Sequence, residues 1–183
     1  MSSSFTQEKN RLFNELDATL KRDLARLTTE ANGGRSILFV YPPSDEDLYI
    51  QEAKEIYKEG FEFIDLRNLL AEFISSVGME SFKQCYEEMG REIFVSQNYH
   101  DGTFYALLMK RIIEIEAREL SPILIHTGVI YEMGFTNHNV MDEPVVKTFK
   151  HPLVFFYPAT YRNGKFLFLG KQPASNYRCV VVH

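Results

Sequence analysis

The sequence predicts an α/β fold, a mainly parallel sheet of about four to six strands flanked by helices. Two observations point to it. Short apolar runs recur at 36–41, 61–65, 122–127 and 153–157, each the length of a strand, and the continuous ones read as strands covered on both faces. Between the first three lie amphipathic stretches of helical spacing, and strand–helix alternation is the pattern of layered folds with right-handed crossovers.

The elements follow in chain order. Residues 1–32 read as an N-terminal amphipathic segment, one long helix from Thr6 to Ala31, because Leu12, Leu16, Leu20, Leu24 and Leu27 draw one apolar stripe and Asn32-Gly33-Gly34 ends it. That stripe serves either the chain's own core or a partner. Ser36 to Tyr41 is a buried strand stopped by Pro42-Pro43, and Ser44 is placed to cap a helix that runs to Glu59 with Asp45, Glu46 and Asp47 in its first turn. Phe61 to Asp65 is a second strand, followed by a helix through Leu69, Leu70, Phe73 and Ile74. Phe82, Tyr86, Met89 and Ile93 have helical spacing broken by Gly90, which predicts an irregular helical insertion closed by a turn at 97–102. A helix from Thr103 to Leu120 leads to a third strand at Pro122–Thr127, and Leu153 to Tyr157 is a fourth, closed by Pro158. Asn163-Gly164 is the pair of a tight hairpin, and Phe166–Leu169 and Cys179–Val182 read as strands at one side of the sheet. The 183 residues form a single domain, long enough to bury about 70% of the unfolded surface.

Composition narrows the function classes. With 25 acidic against 20 basic side chains and a net charge of −5, a basic nucleic-acid module is disfavoured. An apolar fraction of 45% with 14% aromatics excludes disorder. No apolar run reaches the roughly 18 residues that span a bilayer, and the start lacks an apolar signal core, so a cytoplasmic protein is expected. Two cysteines, Cys85 and Cys179, suit free thiols in a reducing compartment.

In an open parallel sheet, ligands sit beyond the carboxyl ends of the strands. Those ends carry Tyr41 and Ser44, Asp65 and Arg67, His126 and Thr127, and Tyr157. Asp65, His126 and Thr127 are the residue types of a small-molecule or nucleotide sensor or a weak enzyme. The plainer account is that Asp65 and Thr127 cap the following helices and His126 is a hydrogen-bonded core histidine. A phosphate cradle needs closely spaced glycines and free amides after the first strand, whereas Pro42-Pro43 supplies neither. The fold class is therefore P-loop-like layering without a phosphate-binding loop. No paired metal ligands, glycine-flanked nucleophilic serine or activated cysteine stands out, so no cofactor, no metal and no catalytic residue is expected. Tyr and Arg, favoured anchors at protein interfaces, cluster late in the chain. Tyr41, Tyr157, Tyr161, Arg162, Tyr177 and Arg178 are the candidate partner-binding residues, against the alternative of an aromatic core with hydroxyls reaching solvent.

A series of motifs also carries a family resemblance. Ile123-Leu124-Ile125-His126-Thr127-Gly128-Val129, then Thr136-Asn137-His138, His151-Pro152-Leu153-Val154-Phe155-Phe156-Tyr157-Pro158, Asn163-Gly164-Lys165-Phe166-Leu167-Phe168-Leu169-Gly170 and Asn176-Tyr177-Arg178 occur in order. With the early Tyr41-Pro42-Pro43 strand end, the whole chain resembles the BrxB family of BREX bacteriophage-exclusion systems. The resemblance implies a non-catalytic adaptor in antiviral defence. It would work beside a PglZ-type protein, a BrxC-type ATPase and a PglX-type DNA methyltransferase; the dispersed, net negative charge and the lack of a spanning apolar run predict no direct contact to nucleic acid or membrane.

Overall fold

The computed structural model describes residues 3–95, 102–174 and 177–183. Five strands run parallel: β1 (Ser36–Tyr41), β2 (Phe61–Asp65), β3 (Ser121–Ile125), β4 (Leu153–Arg162) and β7 (Cys179–Val182), in the order β2-β3-β4-β1-β7. Two more, β5 (Lys165–Phe168) and β6 (Gln172–Pro173), form an antiparallel annex on β4. The α/β class and the mainly parallel sheet are as the apolar runs predict.

Side chains along each inner strand alternate between two cores, which is why the runs are apolar throughout. Ile37, Phe39, Tyr41, Ile123, Ile125, Val154 and Phe156 face one layer, while Leu38, Val40, Leu124, Leu153, Phe155 and Tyr157 face the other. The first layer is α1 (Ser3–Leu20), α2 (Leu24–Glu30) and α3 (Glu46–Ile56). The second is α4 (Leu66–Val77), α5 (Met79–Met89), α6 (Phe104–Glu116) and α7 (Asn137–Met141). From β1 the chain crosses the first layer to the far edge at β2, then returns through β3 and β4 across the second. Opposite travel on opposite faces is what right-handed crossovers require.

The N-terminal segment is two helices and not one. Lys21-Arg22-Asp23 interrupts it, and the Asp23 side chain accepts from the Arg26 amide to start α2. Leu12, Phe13, Leu16 and Leu27 are all buried on the sheet, so the stripe is spent on the chain's own core. Tyr57, which ends α3, donates to Asp17 Oδ1 at 2.6 Å and ties α1 to that helix.

Other expectations change. Ser44 is not a cap: it is exposed within a short 3-10 turn, Pro43–Asp45, that precedes α3, and α3 ends at Ile56. The insertion is helical and broken at Gly90 as expected, α5 giving way there to a 3-10 segment at Gly90–Phe94. Of the turn expected at 97–102, all but Gly102 lies outside the described residues. Pro158 does not close β4. It sits where β4 exchanges its neighbour β3, paired only at Ile123↔Val154 and Leu124↔Phe155, for β5, paired from Ala159↔Phe168 to Arg162↔Lys165. The strands after the hairpin therefore separate, β5 extending β4 and β7 joining the opposite flank of β1. The hairpin turn itself is as expected, with Asn163 at φ 50 and Gly164 at φ 77, the left-handed pair of a type I′ turn.

Candidate functional site

Two places at the carboxyl edge of the sheet gather chemistry-bearing residues. The first joins the ends of β2 and β3. Asp65 ends β2 and caps α4, its Oδ1 accepting from the Arg67 amide at 3.0 Å. His126 follows β3 in a left-handed conformation, φ 54 and ψ 40, which costs a non-glycine residue about 1–2 kcal/mol. That turn carries the imidazole between two neighbours. Nδ1 lies 2.8 Å from Asp65 Oδ1, within ion-pair reach but not aligned as a directed hydrogen bond. Nε2 lies 2.5 Å from Arg67 Nη2, so it serves as the acceptor of that guanidinium. Burial pushes the Asp65 carboxyl up, but His126 and the Arg67 amide and guanidinium outweigh it and hold the group below its usual range.

Sequence reasoning correctly placed Asp65 and His126 together. It misjudged Thr127 as a helix cap: its buried hydroxyl donates to the Phe156 carbonyl at 2.6 Å. His126 is buried with both ring nitrogens against protein groups. The cluster ties β2, β3 and α4 together, and Asp65 also lines a cleft of about 200 Å³ with Asn68, Glu72 and Arg111.

The second place is a groove of about 400 Å³ beyond the end of β1. Its floor is Val40, Tyr41 and Pro42, its walls are Glu8 and Leu12 of α1 and the 159–161 stretch of β4. Around Tyr161 the rings of Phe166 and His183 approach to centroid distances of 5.0 and 6.4 Å. Tyr161 is 63% exposed, the most open of the large apolar side chains among the described residues. Arg162 beside it is exposed at the hairpin turn. Here the sequence signal was half visible. Tyr161, Arg162 and the double proline stood out, whereas nothing in the sequence brings Glu8, Leu12, Phe166 and His183, from three distant segments, to the same groove.

The other partner-binding candidates divide. Tyr41 is buried, stacked on Tyr49 at 5.1 Å, and donates to Glu46 Oε1 at 2.9 Å. Tyr157 is buried against Phe168 at 4.5 Å and points its hydroxyl at Asn137 Oδ1, 3.3 Å away. Both are core aromatics. For these two the aromatic-core account holds, except that their hydroxyls end on protein acceptors and not in solvent. Tyr177 is exposed, and Arg178 is half-buried beneath it with Nε 2.8 Å from Asp142 Oδ1. They precede β7, whose first residue pairs with the first residue of β1, so they lie at the amino edge of the sheet. The span of β1, about 20 Å, separates them from Tyr161 and Arg162. The six candidates therefore form no single Tyr/Arg face; one exposed pair sits at each end. Asn176, next to Tyr177 in the motif series, lies outside the described residues.

A third surface went unnoticed in the sequence. Met79, Tyr86 and Met89 of α5 are 56%, 48% and 54% exposed on one side of that helix. Among the described residues, no helix is long and apolar enough to cross a membrane. The chain matches no protein-family model, no curated protein and no solved structure.

Proposed function

We propose that this chain is a non-enzymatic assembly component of an anti-phage defence complex, of the kind the resemblance to the BrxB family implies. It docks on a protein partner such as a PglZ-type protein or a BrxC-type ATPase. The observation that carries the proposal is the contrast along the carboxyl edge. The His126 imidazole is buried and held between Asp65 and Arg67, while Tyr161 and Arg162 stand out over an apolar groove. Exposed Tyr and Arg around an apolar recess are the residue types that dominate protein interfaces. Pro42 and Pro43 also withhold the amides a nucleotide phosphate would need at the end of β1.

The test is co-expression of the tagged chain with the PglZ-type, BrxC-type and PglX-type proteins, followed by size-exclusion chromatography. A stable complex is expected, weakened about tenfold or more when Tyr161 and Arg162 are both changed to Ala. Recovery of the chain alone, with all three proteins folded and present, rejects the proposal.

A further inference from the structure

We infer that the lateral edge of β2 is a self-association site, on which a second copy of this chain adds its own β2 antiparallel across a twofold axis. The groove of the docking role lies three strands away at β1, so the two surfaces are independent. β2 ends the parallel order, with β3 on one side and no strand on the other. Edge strands are commonly blunted by a proline or a bulge, and Phe61–Asp65 has neither, its register with β3 being one-to-one throughout.

Ladder parity decides which groups face outward. The Ser121 amide donates to the Gly60 carbonyl at 2.9 Å, and Phe61 lies opposite Ser121, so the even-numbered residues of β2 bond to β3. Pro122, which has no amide hydrogen, falls opposite Glu62, where β3 turns its groups toward β4 and no bond to β2 is lost. Phe61, Phe63 and Asp65 therefore direct their N–H groups outward, and no hydrogen bond among the described residues takes them. The cleft of about 200 Å³ beside Glu62–Asp65 keeps this margin open toward α4 and Arg111. Phe61 and Phe63 face the first helical layer yet stay half-buried there.

Parity and charge together select the occupant and its register. An arriving strand must present outward groups at the same two-residue spacing, and β2 of a second copy does so when Phe63 lies opposite itself. Phe61 then pairs with Asp65 of the other copy, each outward N–H finds a carbonyl, and the two Phe63 rings lie side by side in the first layer. Moving the axis to Glu62 would set two carboxylates directly opposite, which is destabilising. With Phe63 on the axis, Glu62 faces Ile64 instead. The same register brings Glu59, exposed and without an ion pair among the described residues, toward the exposed Arg67 at the start of α4 in the other copy. Symmetry makes that opposite-charge contact twice.

The test is sedimentation equilibrium of the full chain over a range of concentrations, with hydrogen exchange read at each. A monomer–dimer equilibrium is expected, with exchange at the Phe61, Phe63 and Asp65 amides slowing as the dimer forms. Phe63→Pro removes an outward amide without touching a bond to β3 and should abolish the dimer, circular dichroism checking that it folds. Glu59→Lys and Arg67→Glu, each acting at both ends of the interface, should each weaken the dimer about tenfold, and the double charge swap should restore it. A chain that stays monomeric into the hundreds of micromolar, a dimer that folded Phe63→Pro leaves intact, or a dimer indifferent to both charge reversals overturns the inference. So does a monomer whose Phe63→Pro variant drops out of the co-expressed complex, which would give the edge to another protein.

Discussion

His126 sits in a conformation that non-glycine residues avoid, and its surroundings supply the compensation. Asp65 and Arg67 lie against its two nitrogens, and Asp65 also caps α4. Replacing Asp65 with Ala should cost about 1–2 kcal/mol through the lost cap, measured by urea unfolding. The pH dependence has a definite sign. Because the folded Asp65 carboxyl is held below its usual range, the unfolded chain binds the proton more readily. Its contribution is complete above the unfolded carboxylate value near 3.9 and is lost as pH falls through the lower folded value. Asp65→Asn should flatten that acid limb; a variant whose stability falls as steeply as the parent between pH 5 and 2 would refute it. Thr160 is a second residue out of balance, its Oγ1 buried with no partner among the described residues. Thr160→Val keeps the shape and removes the orphaned hydroxyl, so thermal unfolding should show a gain of about 1 kcal/mol. Residue identities announced the Asp65–His126 pair, but nothing in the sequence says that Thr127 would turn to the Phe156 carbonyl. That bond depends on how β3 and β4 are brought side by side.

Among the elements, α1 is the one whose role the sequence left open. The same leucine stripe suits an internal face or a partner-binding arm, because periodicity records that a face is apolar and not what covers it. Leu16 is fully buried between α1 and the sheet, so Leu16→Ala should cost about 2–5 kcal/mol in denaturant unfolding. A change within about 0.5 kcal/mol would show α1 to be a detachable arm. The hairpin was legible from Asn163-Gly164 alone, since that pair tolerates the left-handed turn that a two-residue loop demands. The length of β4 was not. A proline normally marks a strand end, but Pro158 sits where β4 changes neighbours and its missing amide breaks no pairing on the β1 side of the ladder that continues.

At the scale of the molecule, the two edges of the sheet are built differently. The amino edge is tightly closed: a Cβ at Gly34 would lie 1.9 Å from the Arg178 carbonyl oxygen, so the turn into β1 touches the turn into β7 backbone to backbone. Gly34→Ala should force those two turns apart and cost about 1–3 kcal/mol, lowering the midpoint of cooperative thermal unfolding. An unchanged midpoint would mean the contact is not tight in solution. The carboxyl edge is open, and its groove is where the docking role is proposed.

What the sequence determined by itself was six of the seven strands, β6 excepted, the burial of the inner ones on two faces, the hairpin and the missing phosphate cradle. Each of these follows from residues close together in the chain, through apolar period, turn chemistry or an absent amide. Only the tertiary structure decided that Tyr41 and Tyr157 are core, that Tyr161 and Tyr177 lie at opposite edges, and that β4 outruns β1 to leave an unpaired margin. Those outcomes depend on strand order and register, which are set by contacts between residues more than a hundred positions apart, such as Tyr41 with Pro158.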